Sequence, residues 1–153
     1  MQKLLLFISA ITFFVSCKDK TVSLSGTDKV EFKDFAAAFK QVSFPYRISD
    51  TNYVKVADTL TISYTVLTEF VPDSVMKKLF PKNAEKLKIH PAGKIEKENE
   101  LYLLANIASA KKTTLIAFLF NKEEAAKYLS NIVLLKPVSD DNYMHSISVT
   151  NEP

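Results

Sequence analysis

The sequence predicts an α+β domain in which short N-terminal helices precede a mainly antiparallel β-meander. In the first half, apolar residues recur at helical spacing, and a Pro-Asp pair opens a second apolar stripe. In the second half, apolar runs of strand length are separated by short polar segments. With 47% apolar and 24% charged residues, the 153-residue chain has the composition of one globular domain with short additional segments.

The first sixteen residues have the organisation of a secretory leader. Lys3 gives a positive start, and residues 4–15 are a run of twelve uncharged residues. As a helix this run is about 18 Å long, which is shorter than the roughly 30 Å hydrocarbon core of a bilayer. Ser16 then supplies the small residue that precedes a cleavage site. The pattern favours a signal peptide, residues 1–16, over a transmembrane helix.

The segment Phe14-Val15-Ser16-Cys17 resembles the lipobox of bacterial lipoproteins. The resemblance implies that a lipid is attached to Cys17 and that the peptide is cut just before this residue. A lone cysteine in an exported chain is otherwise a free thiol, because it has no internal disulfide partner. Two or three acyl chains such as palmitate, at about 0.8 kcal/mol per buried methylene, would hold the protein on a membrane. The alternatives are an exported soluble protein and a cytosolic protein with a buried N-terminal helix.

With Lys-Asp-Lys after the cysteine, the N-terminus of the processed chain resembles that of small envelope lipoproteins of Bacteroidota-type bacteria. This resemblance implies an outer-membrane location and leaves open whether the protein faces the periplasm or the cell surface. Residues 17–29 are polar and unpatterned, so we expect a lipidated cysteine followed by a flexible tether. Residues 30–153 are expected to form a single domain.

The first predicted element of that domain is a helix over residues 30–41. Asp28 and Glu31 have the spacing of a capping box. Four apolar residues then fall on one helical face, which we expect to be buried: Phe32, Phe35, Ala36 and Phe39. The helix ends before Pro45, and a short extended stretch and a turn at residues 49–52 follow.

Residues 59–66 alternate between apolar and β-branched or polar residues, which predicts a strand. A helix with Ile62, Val66 and Phe70 on one face is the competing interpretation. Pro72-Asp73 then opens a short helix that Pro81 ends. Residues 83–88 can add a further helical turn.

The second half of the chain predicts strands. Residues 90–93, His-Pro-Ala-Gly, are expected to break the chain direction, and Glu98-Asn99 to form a turn. Residues 101–108 and 115–120 are two apolar runs joined by a short polar loop, which predicts an antiparallel hairpin.

Further strands are predicted near residues 132–136 and 143–150, with a turn at 139–142 between them. The intervening segment allows two interpretations. Asn121 and Glu124 could cap a helix over residues 123–129, or residues 122–126 could be the bend of another hairpin.

The predicted hairpin is apolar on both faces, whereas a half-solvated sheet alternates. The short helices would cover one face and leave the other for a protein partner, a second copy of the chain or a hydrophobic ligand. Coverage of both faces by the chain's own loops and helices is the favoured interpretation. The candidate binding residues on this hairpin are Tyr102, Leu104, Ile116, Phe118 and Phe120.

Several function classes are excluded by composition. The chain has two glycines, so it cannot build a glycine-rich phosphate loop or a dinucleotide fingerprint. A net charge of +3 without a long basic run argues against nucleic-acid binding. Because Cys17 is assigned to the anchor, the domain has no thiol nucleophile and no thiolate metal site.

The remaining chemistry-bearing residues predict no active site. His90 is expected to be solvated in a loop, and His145 to be packed along a strand. The carboxylates of Glu96, Glu98 and Glu100 would share a strand face but are expected to form a solvated edge. The Asp-Asp-Asn sequence at 140–142 lacks the spaced ligands of a calcium loop. We therefore predict no catalytic residue, no metal site and no cofactor.

The favoured hypothesis is a non-catalytic envelope lipoprotein whose domain binds a partner or ligand or has a structural role. The membrane, through Cys17, is the first predicted partner. The sequence leaves open whether the protein is an enzyme. The alternative hypothesis for its function is an envelope-tethered hydrolase that acts on a glycan or peptide. A third hypothesis is a subunit of a larger complex that meets other chains through the apolar hairpin.

Overall fold

The computed structural model describes residues 22–49, 60–82, 84–109, 113–124, 126–136 and 146–149. Within these stretches, the helices are α1 (Phe32–Ala37), α2 (Tyr64–Phe70) and α3 (Asp73–Leu79), and a 3-10 turn spans Ala84–Lys86. The strands are β1 (Tyr46–Ser49), β2 (Lys88–Glu96), β3 (Glu100–Ala108), β4 (Thr113–Asn121), β5 (Lys127–Leu135) and β6 (Ser146–Val149). The predicted α+β class is confirmed.

Strands β2 to β5 form an antiparallel four-stranded meander in chain order. The predicted β3–β4 hairpin is confirmed, with Leu103 opposite Phe118. Strand β5 begins well before the predicted residue 132. Strands β1 and β6 form a separate antiparallel pair, which joins the beginning of the domain to its C-terminal part.

Helix α1 confirms the first predicted helix but is shorter than residues 30–41. The predicted capping box is wrong, because Glu31 is the N-cap and its side chain makes no capping hydrogen bond within the described residues. The prediction of a buried apolar face is confirmed for Phe35 and Phe39, at most 1% exposed, whereas Phe32 and Ala36 are only partly buried. Phe35 stacks on Phe70 with a ring-centroid distance of 4.6 Å, which joins α1 to α2.

The strand prediction for residues 59–66 is wrong after Ile62, and the competing helix is confirmed. Ser63 begins α2, because its Oγ accepts a hydrogen bond of 3.1 Å from the Val66 amide. In the described part of this segment, residues 60–66, Ile62 keeps a strand-like bridge, to Ile89. A local N-cap therefore decides the structure where the alternation of residue types favoured a strand.

Helix α3 begins after Pro72 and ends before Pro81, as predicted. It buries Met76 against the same core as α2. The 3-10 turn after it confirms the further helical turn.

The predicted break at residues 90–93 is wrong, because β2 runs through this segment. The register against β3 shifts between Pro91 and Gly93. A bulge at an edge strand accommodates a proline, which has no amide proton for the sheet. His90 accordingly lies in the strand and is 6% exposed, instead of being solvated in a loop.

The bend after Asn121 confirms the hairpin interpretation, and the helix over residues 123–129 is wrong. The Asn121 side-chain oxygen accepts hydrogen bonds from the amides of Glu123, at 2.8 Å, and Glu124, at 3.4 Å. Ala126 then adopts a positive φ of 63°, in the left-handed region. This local hydrogen bonding competes with a helix cap and selects the turn.

The folded domain begins earlier than residue 30. Leu24 is 5% exposed, and its carbonyl accepts a hydrogen bond of 2.8 Å from the Ser63 amide. The Ser63 hydroxyl donates to the Gly26 carbonyl at 2.6 Å. Leu24 and Gly26, both within the predicted tether, therefore contact Ser63 at the start of α2.

Apolar side chains pack on both faces of the meander. One face packs against α1, α2 and α3 around Phe35, Leu67 and Phe118. A smaller cluster on the other face surrounds Leu104 and includes Tyr46.

The predicted turns at 49–52 and 139–142 lie mostly or wholly outside the described residues. The same holds for the predicted leader, residues 1–16, and for Cys17. In the stretches that are described, no helix is long and apolar enough to cross a membrane.

Candidate functional site

The apolar hairpin is not an open binding surface. Of its five candidate residues, only Tyr102 is partly exposed, and the exposed fraction of the other four rounds to zero: Leu104, Ile116, Phe118 and Phe120. The five also do not share a face. The antiparallel register places Phe118 opposite Leu103 and Leu104 opposite Ala117, so the three β4 candidates lie on the helix-covered face and the two β3 candidates on the other.

Residues from other elements of the same chain cover both faces of the β3–β4 hairpin. Phe32 of α1 lies 5.1 Å from Phe120, measured between ring centroids. On the opposite face, Val42 and Tyr46 pack against the cluster around Leu104. The hypothesis of a docking face on this hairpin is therefore corrected in favour of coverage by the chain itself, since the candidate residues other than Tyr102 are buried within the monomer.

The structure instead places a depression at the end of the sheet where β2 turns into β3 and β4 into β5. It has a volume of about 520 Å³. Its lining residues come from α1, β2, β3 and the turn after β4: Phe32, Ala36, Lys94, Glu96, Leu101, Lys122 and Ala126. We call this feature the turn-end depression.

The charged rim of the depression is an ion-pair network centred on Glu96. Lys94 Nζ lies 2.9 Å from Glu96 Oε1, and Lys122 Nζ lies 3.4 Å from Oε2. Hydrogen bonding from Lys94, with a smaller contribution from Lys122, lowers the pKa of Glu96 below its ordinary value. Two lysines against one carboxylate leave the rim with a net positive charge.

Backbone contacts hold α1 and the rim together. The Lys94 amide donates to the Lys40 carbonyl at 2.8 Å, and the Val42 amide donates to the Lys94 carbonyl at 3.0 Å. This close approach of the chain after α1 to β2 needs Gly93, because a Cβ there would collide with the Val42 side chain. The wall of the depression is thus fixed to its rim.

Lys122 connects the two turns at this end of the sheet. Its amide donates to the Asn99 carbonyl at 2.9 Å. Its Nζ also lies 3.4 Å from the Lys97 carbonyl. The lysine is therefore positioned by the β2–β3 turn as well as by Glu96.

The three glutamates that the sequence placed on one strand face do not converge. Glu96 ends β2, Glu98 is exposed in the turn and Glu100 begins β3. Glu100 accepts a hydrogen bond of 2.6 Å from the Tyr102 hydroxyl. This geometry offers no pair of carboxylates facing a common substrate. An ionised Glu96 between two lysines is also a poor proton donor.

A second polar feature lies on the opposite sheet face, where His90 of β2 is paired with Asn106 of β3. The Nδ1 of His90 lies 3.0 Å from the Leu60 carbonyl, so this nitrogen is the donor of a hydrogen bond. Among the described residues, the buried Oδ1 of Asn106 has no hydrogen-bond partner. Within the described ranges, no three metal-ligating side chains come together. His145 and residues 140–142 lie outside those ranges.

Sequence reasoning missed the turn-end depression because its residues come from four separate elements. The alternation of Lys94 and Glu96 along a strand was the available signal, since residues two apart share a face. Reasoning also missed the apolar residues of β5 that remain exposed by 40% to 49%: Leu129, Ile132 and Val133.

Comparison of the chain with protein-family models, with curated proteins and with solved structures gave no significant match. The functional interpretation therefore depends on the chemistry of the chain itself.

Proposed function

We propose that this chain is a lipid-anchored protein of the bacterial cell envelope, held on the outer membrane through Cys17, and that its domain binds a ligand without catalysis. The observation that carries the proposal is the order of segments. A charged start and a twelve-residue apolar run lead directly to Ser16 and the lone cysteine. The core of the domain already includes Leu24.

The turn-end depression is the ligand site in this proposal. Its apolar part is formed by Phe32, Ala36 and Leu101, and its rim by the lysines around Glu96. An apolar floor with a few polar groups at the edge is the usual composition of a small-molecule site. The positive rim favours an amphipathic anion, whose apolar body would contact the floor.

The anchor is tested on the protein in its native host cells. Metabolic labelling with an alkyne analogue of palmitate should mark the wild-type protein, and intact-mass measurement should find an acylated N-terminus at Cys17. The Cys17→Ser variant should lose the label, whereas Ser16→Ala, which keeps a small residue before the cysteine, should retain it. An unprocessed and unmodified N-terminus on the wild-type protein would contradict the proposal.

The depression is tested with 1-anilinonaphthalene-8-sulfonate, an amphipathic anion whose fluorescence rises in apolar sites. We expect Lys122→Glu to weaken its binding by about tenfold, which corresponds to about 1.4 kcal/mol. The matched control is Lys127→Glu, because Lys127 lies in the same turn region but pairs with Glu124 at 2.9 Å. Equal affinity of the two variants would remove the depression from the proposal.

A further inference from the structure

A basic segment runs from the last turn of α3 to the first residue of β2. It contains five lysines and one glutamate: Lys77, Lys78, Lys82, Glu85, Lys86 and Lys88. Its net charge of +4 exceeds the +3 of the whole chain, so the remaining residues are net negative. The excess positive charge of the protein is therefore concentrated in this basic segment, residues 77–88.

The charges of the basic segment face solvent. All five lysines are exposed. Lys77 pairs with Asp73 at 2.6 Å. In the described part of the chain, Lys78, Lys82, Lys86 and Lys88 form no ion pair. Four cations are thus left to attract an external anionic surface.

The basic segment ends beside the point where the N-terminal chain joins the domain. The Leu24 carbonyl accepts from the Ser63 amide, and the preceding Ile62 amide donates to the Ile89 carbonyl at 2.8 Å. Lys88 directly precedes Ile89 in β2. Helix α2, which begins after Ser63, also contacts the 3-10 turn within the basic segment.

The length of chain before Leu24 limits the distance between the domain and its anchor. Leu24 lies seven positions after Cys17, and seven Cα–Cα steps of fully extended chain span at most about 25 Å. A domain of roughly 130 residues has a diameter of about 35 Å. The short connection therefore keeps the Leu24 side of the domain toward the membrane.

We infer that residues 77–88 dock on the anionic lipid headgroups of the membrane that holds the anchor. The inference rests on the proposed lipidation of Cys17. Lysines within a Debye length of about 8 Å from an anionic surface are attracted to it, and salt weakens the attraction. Strand β2 runs roughly 25 Å from Lys88 to Glu96. Docking would therefore leave the turn-end depression facing away from the membrane.

The test uses the full-length lipidated protein in two kinds of vesicle, one of phosphatidylcholine alone and one with about 30% phosphatidylglycerol. Lysine modification by an amine-reactive reagent is measured by mass spectrometry. In anionic vesicles, the modification rates of Lys78, Lys82, Lys86 and Lys88 should fall at least about threefold and recover at roughly 0.5 M salt. Lys97 and Lys127, at the opposite end of the sheet, should react equally in both vesicles.

A charge-reversal variant, Lys82→Glu with Lys86→Glu, should lose the protection, whereas Lys33→Glu with Lys127→Glu should keep it. Both pairs are exposed, and circular dichroism can confirm that the variants remain folded. Equal reaction rates in neutral and anionic vesicles, with the protein still attached to both, would overturn the docking and leave the anchor intact. If the wild-type protein purified from its host carries no lipid on Cys17 and does not stay on neutral vesicles, the anchor and the docking are both overturned.

Discussion

Asn106 is a polar side chain in the core whose oxygen is left without a hydrogen bond. The residue is 5% exposed, and its Oδ1 has no partner in the described part of the chain. Burying an unsatisfied amide oxygen costs about 1–3 kcal/mol. The Asn106→Leu substitution should therefore raise the free energy of unfolding by about 1 kcal/mol, measured by urea denaturation. Asn106→Asp is the control and should lower it, because a buried charge replaces the amide. Destabilisation by leucine would contradict this account of Asn106.

Gly93 is required by close packing, and its φ is not in the left-handed region. A Cβ at this position would overlap Cγ1 of Val42. Gly93→Ala should lower the free energy of unfolding by about 1–3 kcal/mol, the usual cost of overpacking. In a Val42→Ala background the same substitution should cost much less, because the obstructing methyl group is gone. Additive effects in this double-mutant cycle would show that another contact is responsible.

Tyr64 and Tyr102 should titrate well above the ordinary tyrosine pKa of about 10. Burial and the hydrogen bond to Asp73 raise the pKa of Tyr64 to about 12. The hydrogen bond to Glu100 and burial raise the pKa of Tyr102 to about 12. Because both pKa values exceed the unfolded value of about 10, these tyrosines stabilise the fold below pH 10. Their contribution is lost as the pH rises toward 12.

The alkaline titration can be followed by absorbance at 295 nm, since the chain has no tryptophan. Tyr64→Phe and Tyr102→Phe should each remove one of the late-titrating groups. In urea, all tyrosines of the wild-type chain should titrate together near pH 10. Burial also raises the pKa values of Tyr46 and Tyr128, so the double variant should keep part of the late titration. An alkaline titration curve unchanged by the Tyr64→Phe and Tyr102→Phe substitutions would contradict the prediction.

At the scale of elements, the β3–β4 hairpin and β5 have opposite environments. Phe118 of β4 is fully buried, whereas Ile132 of β5 is 49% exposed. Phe118→Ala should lower the free energy of unfolding by about 3–5 kcal/mol. The control, Ile132→Ala, should cost under about 1 kcal/mol. A large loss for Ile132→Ala in chemical denaturation would mean that β5 is covered in solution, for example by a second copy of the chain.

The elements that sequence reasoning predicted correctly have strong local signals. The phenylalanine spacing of α1 and the prolines on either side of α3 determine those helices without reference to the rest of the chain. Two predictions of secondary structure were wrong because the local sequence pattern competed with a stronger interaction. In residues 59–66, the alternation of apolar and polar residues favoured a strand, but the Ser63 side chain caps helix α2 there. At residues 90–93, the His-Pro-Ala-Gly sequence suggested a break, but strand β2 continues through a bulge because it pairs with β3. Cross-strand hydrogen bonds outweigh the local preference of Pro91 and Gly93.

At the scale of the molecule, β1 and β6 connect segments about a hundred residues apart. Tyr46 of β1 is opposite Val149 of β6, and the Tyr46 side chain packs against the Leu104 cluster. Deleting residues 137–153 removes β6 and should reduce the hydrogen-exchange protection of the β1 amides by at least about tenfold. Amides of β3 should lose much less protection, because both neighbouring strands remain. Unchanged protection of β1 would show that β6 contributes little to its stability.

Leu24, which follows the proposed anchor in the sequence, and the turn-end depression lie near opposite ends of strand β2. Leu24 is joined to Ser63 near the beginning of β2, and the turn-end depression lies where β2 ends. A membrane-bound protein with this arrangement would present its depression to the surrounding aqueous compartment. The two proposals can fail separately, because neither test uses a residue of the other.

The sequence by itself determined the fold class, the β3–β4 hairpin and the α1 and α3 helices, because apolar periodicity and prolines act over a few residues. It also contains the whole basis for the proposed leader and lipidated cysteine, which are contiguous segments. Only the tertiary structure decided that both hairpin faces are covered, that Leu24 belongs to the core and that Glu96 lies between Lys94 and Lys122. These features depend on contacts between residues far apart in the chain, and such contacts leave no periodic pattern in the sequence.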